Sequence, residues 1–153
     1  MAIEYFHINE SDFDMLNQIV KLEQQVHANR GSGLNYFEAH SFIRYGRVYA
    51  AVEYDEVLGC VYFIRDFSNP NRVFLYSIVV KPSESNKRLG ESLLLSAFAD
   101  LKEANLRMVE ATVHPSNYKA LRIYREELGF SVINAQDDAE YADLEFLVLR
   151  KML

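Results

Sequence analysis

Ile78-Val79-Val80-Lys81-Pro82-Ser83-Glu84-Ser85-Asn86-Lys87-Arg88-Leu89-Gly90-Glu91-Ser92-Leu93-Leu94 joins a strand signal to a helix signal through a short polar loop. The β-branched run Ile78-Val79-Val80, stopped by Pro82, reads as a buried strand. Leu89, Leu93, Leu94, Ala97, Phe98 and Leu101 recur at helical spacing, so a helix opens near Leu89. A strand that feeds a helix through a short polar loop presents free backbone N–H groups at the positive end of the helix dipole. That setting suits a phosphate or pyrophosphate. The same turn also serves as a plain connection with no ligand.

Upstream, residues 3–8 read as a short strand, and Asn9 or Ser11 is placed to cap a helix carrying Phe13, Leu16, Ile19, Val20 and Leu22. Residues 24–33 read as a loop with strong turn chemistry at Asn29-Arg30-Gly31-Ser32-Gly33. A second helix starts near Asn35 and ends near Tyr45, with Gly46 as its C′ residue. Residues 47–53 and 57–65 are β-rich runs around Tyr54-Asp55-Glu56, an antiparallel hairpin, and 73–80 is the next strand.

Downstream, the helix runs to about residue 104, Asn105 breaks it, and 108–113 is a strand. Pro115 fits the first turn of a helix to about residue 127, which Gly129 ends. Strands at 130–134 and 144–149 flank an acidic loop, 136–143. The order β-α-α-β-β-β-α-β-α-β-β predicts a mixed α/β fold: a mostly antiparallel sheet with one central parallel βαβ crossover.

With 153 residues the chain is long enough for a single domain with a proper core, taken as residues 1–153. A net charge of −6 argues against general affinity for nucleic acid or an anionic membrane, both of which favour a basic face. No apolar run is long enough to span a bilayer and no leader pattern is visible, so a cytoplasmic location is the expectation. Cys60 is the only cysteine and sits in an apolar run, which suits a buried structural thiol. No His/Cys/Asp/Glu spacing suggests a metal site, and no Gly-x-x-x-x-Gly-Lys-Ser/Thr motif suggests a nucleotide phosphate-binding domain.

Two segments carry a family resemblance. The first is Val80-Lys81-Pro82 with Ser85-Asn86-Lys87-Arg88-Leu89-Gly90, which has the length of a Val-x-Pro strand end followed by Arg/Gln-x-x-Gly-x-Gly/Ala. Ser85 stands where Arg or Gln is usual, Arg88 stands where Gly is usual, and Gly90 matches. The second is Asn117-x-x-Ala120-x-x-Ile123-Tyr124, followed by Gly129-Phe130, with the Tyr-to-Gly interval one residue longer than the commonest version. With the element order, these segments resemble the GCN5-related N-acetyltransferases.

The resemblance implies acetyl transfer from acetyl-coenzyme A to a primary amine by direct attack, without a metal. Backbone N–H groups at Ile78, Val79 and Val80, where the strand splays from its neighbour, would bind pantetheine and the thioester carbonyl. Asn86, Lys87, Arg88, Leu89, Gly90 and Glu91 would hold the pyrophosphate, and Asn117 the cofactor arm. Tyr124 would give a proton to the departing sulfur. Some members carry a Glu base at the position that is Thr112 here, so Glu110, two residues earlier, and His114 are the substitute candidates. The acceptor pocket would draw on residues 24–35 and 137–143, with Glu23, His27, Glu38 and Tyr36, Tyr45 and Tyr141 nearby. The acceptor is a small metabolite, a peptide N-terminus or a lysine. Many members dimerise, so a homodimer belongs among the expectations. The alternative reading is a non-catalytic acyl-coenzyme A sensor or interaction domain.

Overall fold

The computed structural model describes residues 2–27, 33–84, 88–133 and 145–153. The elements follow the expected order: β1 (Glu4–Ile8), α1 (Phe13–Val26), α2 (Tyr36–Tyr45), β2 (Arg47–Glu53), β3 (Glu56–Arg65), β4 (Arg72–Val80), α3 (Leu89–Glu103), β5 (Met108–Val113), α4 (Tyr118–Arg122), β6 (Ser131–Val132) and β7 (Leu147–Met152). The seven strands form one sheet in the order β1-β2-β3-β4-β5-β7-β6. Its pairings are antiparallel except β4 with β5, the crossover through α3. The residues group into two compact units, 1–64 with 75–100, and 65–74 with 101–153.

In the first unit, β1 pairs with β2 and β2 with β3. The hairpin between β2 and β3 turns on two residues, since Glu56 already belongs to β3. Tyr54 and Asp55 have φ of 51° and 61°, the pair of left-handed residues whose twist matches that of the strands. One face of this sheet carries Val48, Ala50, Cys60, Tyr62 and Val79 against Leu16, Ile19 and Leu22 of α1 and Ala39 and Ile43 of α2. The other face sets Phe63 edge-on to Phe98 of α3, and the Tyr49 hydroxyl donates to Asp100 Oδ2 at 2.5 Å. Each fully buried leucine on these faces contributes about 1.5–3 kcal/mol.

Several local expectations are corrected here. Helix α1 extends through Gln24 and Gln25 to Val26, because both glutamines are good helix formers. Neither Asn9 nor Ser11 is its N-cap. Asp12 takes that position, while Asn9 Oδ1 accepts from the Ser11 N–H in the preceding turn. Asn35 does cap α2, in a reciprocal box with Glu38. Gly46 has φ −102°, so it is no left-handed C′ residue. A Cβ there would lie 2.4 Å from the Phe63 carbonyl oxygen, and close approach is its reason.

Strand β4 breaks the two-residue alternation. Tyr76 meets Phe42 of α2, and Val79 joins the same core, while Ile78 and Val80 lie where a Cβ on Gly90 of α3 would reach them. Tyr76 and Val79 are three apart yet share a face, so the strand slips by one residue between them, as at a bulge.

In the second unit, Arg72, Val73 and Phe74 run parallel to Met108, Val109 and Glu110, and β7 pairs antiparallel with both β5 and β6. Pro115 is not in the first helical turn; Asn117 caps α4, which starts at Tyr118. The helix then widens into a π-helical turn, Ile123–Glu127, closed by Leu128 N–H to the Ile123 carbonyl at 3.0 Å. One residue inserted into an α-helix produces this i→i+5 bond, and the Tyr-to-Gly interval is the one that carries an extra residue. Gly129, with φ 77°, ends the turn. Strand β6 is only two residues, and β7 begins at Leu147, later than expected.

Candidate active site

The phosphate-loop expectation falls on the end of β4 and the start of α3. Strand β4 stops at Val80, the Lys81 N–H donates to the Leu58 carbonyl at 2.8 Å, and Pro82–Glu84 make a single 3-10 turn. Asn86 and Lys87 lie outside the described residues. Arg88 is exposed with φ 57°, and its carbonyl accepts from the Ser92 N–H as α3 begins. The residue standing in place of glycine therefore adopts the left-handed backbone that glycine makes inexpensive, at a cost of about 1 kcal/mol. Leu89 is buried, and Glu91 sits in the first turn, where a carboxylate favours the helix dipole. At Gly90 an added Cβ would meet Ile78 and Val80 side chains only at 3.6 and 3.7 Å, ordinary contacts. Packing within this unit does not require a glycine there.

The second unit holds the other expected groups. Asn117 Oδ1 accepts from the Ala120 N–H at 3.2 Å, so this side chain starts α4. Tyr124 lies in the π-helical turn. Its ring meets Phe130 edge-on at 5.1 Å, and its carbonyl accepts from the Phe130 N–H at 2.9 Å. Burial alone pushes the phenol up to about 12, further above neutral pH than a free phenol.

The two base candidates are both engaged. Glu110 was expected as a strand residue sharing Thr112's face; it is buried, and Arg150 donates to its Oε2 from Nε at 2.9 Å and from a terminal nitrogen at 2.6 Å. Arg72 Nε lies 3.4 Å from Oε1 and also binds Asp66 at 2.8 Å. Alternating acids and guanidiniums form a clamp across β4, β5 and β7, and two opposed charges this dry hold each other only through such geometry. His114 Nδ1 accepts from the Ser116 N–H at 3.1 Å and lies 2.6 Å from Ser116 Oγ. In the neutral ring the proton then belongs on Nε2, and protonating Nδ1 would break the Ser116 bond.

Of the acceptor-side candidates, Glu38 is the capping-box partner of Asn35, Tyr36 and Tyr45 are exposed, and Asp137, Asp138, Glu140 and Tyr141 lie outside the described residues. Among the described residues no group of three His, Cys, Asp or Glu side chains is placed to hold a metal ion, and no helix is long and apolar enough to cross a membrane. Sequence reasoning missed the clamp arginines Arg72 and Arg150. Their only trace was a charged residue within a β-rich run, with Val73 after Arg72 and Leu149 before Arg150. It also missed the slip in β4, which leaves no composition signal.

The acetyltransferase (GNAT) family model matches residues 13–130, and the chain belongs to that family. No curated protein sequence matches it. Solved structures agree on the fold. The ribosomal-protein-S18-alanine N-acetyltransferase of Escherichia coli is 16% identical, with TM-score 0.76 over 99% of this chain and 94% of that one. A GNAT-family acetyltransferase of Staphylococcus aureus Mu50 is 18% identical, with TM-score 0.73 over 99% of both chains. The PaiA N-acetyltransferase of Thermoplasma acidophilum, solved with coenzyme A, is 18% identical, with TM-score 0.66 over 100% of both.

Proposed function

We propose that this chain, acting as one domain, is an N-acetyltransferase that moves the acetyl group of acetyl-coenzyme A directly onto a primary amine. The observation that carries this reading is Tyr124: it sits at the family's tyrosine position, in a π-helical turn that sets its ring edge-on to Phe130. In the reaction the amine nitrogen bonds to the thioester carbon, the carbon–sulfur bond breaks, and the sulfur leaves as a thiolate that takes a proton. Tyr124 supplies that proton and is reprotonated by the one the amine releases, so the balance closes without an oxidant or a metal.

The slip in β4 supports placing the thioester carbonyl and pantetheine at Ile78, Val79 and Val80, since a bulge turns backbone N–H groups out of the ladder. The left-handed Arg88 and the unforced Gly90 support pyrophosphate binding by residues 86–91, with Asn117 beside the cofactor arm. Glu110 and His114, expected as bases, are assigned structural roles instead, because their accepting atoms are occupied. The amine proton reaches Tyr124 through water. The same occupancy favours a second reading, a non-catalytic acyl-coenzyme A sensor.

Isothermal titration with acetyl-coenzyme A and coenzyme A, followed by thiol release over an amine panel, separates the outcomes. Micromolar binding with turnover is the expected result. Binding without turnover of any amine favours the sensor, and no binding overturns both.

A further inference from the structure

In the second unit, α4, the π-helical turn and β6 border an open cavity of about 710 Å³, the size of a small-molecule site. Asn117, Ala120 and Tyr124, which carry the family pattern on this helix, are not in its lining. The cavity takes another helix face, that of Tyr118, Arg122 and Arg125, spaced four and three apart.

The polar groups there are mostly donors. Arg122 and Arg125 are exposed, and among the described residues neither side chain makes a hydrogen bond or an ion pair. Across from them lies β6, the outermost strand of the sheet. The Ile133 N–H donates to the Val148 carbonyl of β7 at 2.9 Å, so by strand alternation the Val132 N–H turns away from β7. That is the side on which the Phe130 N–H reaches the Tyr124 carbonyl of the π-helical turn. The single acid in the lining is Glu126, so two guanidiniums face one carboxylate in a chain of net charge −6. The apolar part comes from Leu121, Phe130 and Tyr118, the last 77% exposed.

A guanidinium presents a planar fork of donors that matches a carboxylate. Two such forks about one turn apart suit two carboxylates, and the rings suit a flat body between them. A cation would be repelled, and a neutral molecule would leave both forks unused. We propose that this cavity binds a small dicarboxylate with a flat apolar body. Arg122 and Arg125 each take one carboxylate, and the Val132 N–H is a further donor. The site goes beyond the acetyltransferase reading and does not depend on it.

Calorimetry of the full chain with isophthalate, benzoate and benzamide, with and without saturating coenzyme A, tests the site. Isophthalate is expected to bind at least fivefold more tightly than benzoate, and benzoate at least threefold more tightly than benzamide. Coenzyme A should change none of these affinities by more than about twofold. Arg122→Gln and Arg125→Gln, both at exposed positions, should each bring isophthalate within about twofold of benzoate. Failure of isophthalate to bind, equal binding of isophthalate and benzamide, or a preference that survives both substitutions overturns the proposal. Displacement of isophthalate by coenzyme A also overturns it, by giving the two arginines to the cofactor's phosphates. Arginine-dependent isophthalate binding without any binding of coenzyme A leaves the site standing and overturns the acetyltransferase reading.

Discussion

At the scale of single residues, Tyr124 and Arg88 carry the most specific expectations. Tyr124→Phe removes the proton and leaves the ring, so the edge contact with Phe130 survives. Turnover should fall at least tenfold while coenzyme A affinity stays within about twofold; full activity would remove Tyr124 from the mechanism. Arg88 was legible as an anomaly in the family pattern, and its positive φ shows what the pattern asks of that position. The side chain also brings a positive charge to the start of α3. Arg88→Glu, measured by calorimetry, should weaken coenzyme A binding by about tenfold through repulsion of the phosphates. Unchanged affinity would place the phosphates elsewhere. Glu110 teaches the opposite lesson. Its strand position was readable, but its partners Arg72 and Arg150 come from strands distant in sequence, and no local pattern announces them.

At the scale of elements, the π-helical turn is the feature that a one-residue count foretold without naming. The helix could have absorbed the extra residue in its loop; instead it widens at Ile123–Glu127 and keeps Tyr124 against Phe130. Deleting Glu126, an exposed residue of the turn, should restore i→i+4 bonding and rotate the residues beyond Tyr124 by about 100°. We expect far-UV circular dichroism to show an intact fold and turnover to drop at least tenfold. A deletion variant as active as the parent would make the π-turn a mere accommodation of length. The other elements were readable because their signals are local: the turn at Tyr54-Asp55, the cap at Asn35 and the breaker at Asn105, whose φ is 68°. Boundaries failed where two signals competed, as at Gln24 and Gln25, where helix propensity prevailed over the turn chemistry of the residues after them.

At the scale of the whole molecule, burial holds several ionisable groups neutral. Desolvation raises Tyr124 to about 12 from 10.0, and raises Tyr49, Tyr62 and Cys60 as well. As pH rises, the unfolded chain releases these protons first and so binds fewer than the native state. Their stabilisation is complete below the ordinary values of 9.0 for the thiol and 10.0 for the phenols, and is lost above them. Urea midpoints should hold steady through pH 8 with respect to these groups and fall beyond pH 10. Tyr124 accounts for at most about 3 kcal/mol of that fall, and Tyr124→Phe should lessen it by that share. A midpoint indifferent to alkali would mean that the phenols are wet.

The order of elements, the parallel crossover and the family itself were determined by the sequence alone, because periodicity, turn residues and short motifs act within a few positions of one another. Tertiary structure decided what each buried carboxylate holds. Glu110 is clamped by arginines from β4 and β7, while Glu23 accepts from the Leu34 N–H at 3.3 Å beside His27. Both are single acidic residues in amphipathic stretches, indistinguishable in the chain. The difference between them is set by neighbours that only folding brings within hydrogen-bond distance.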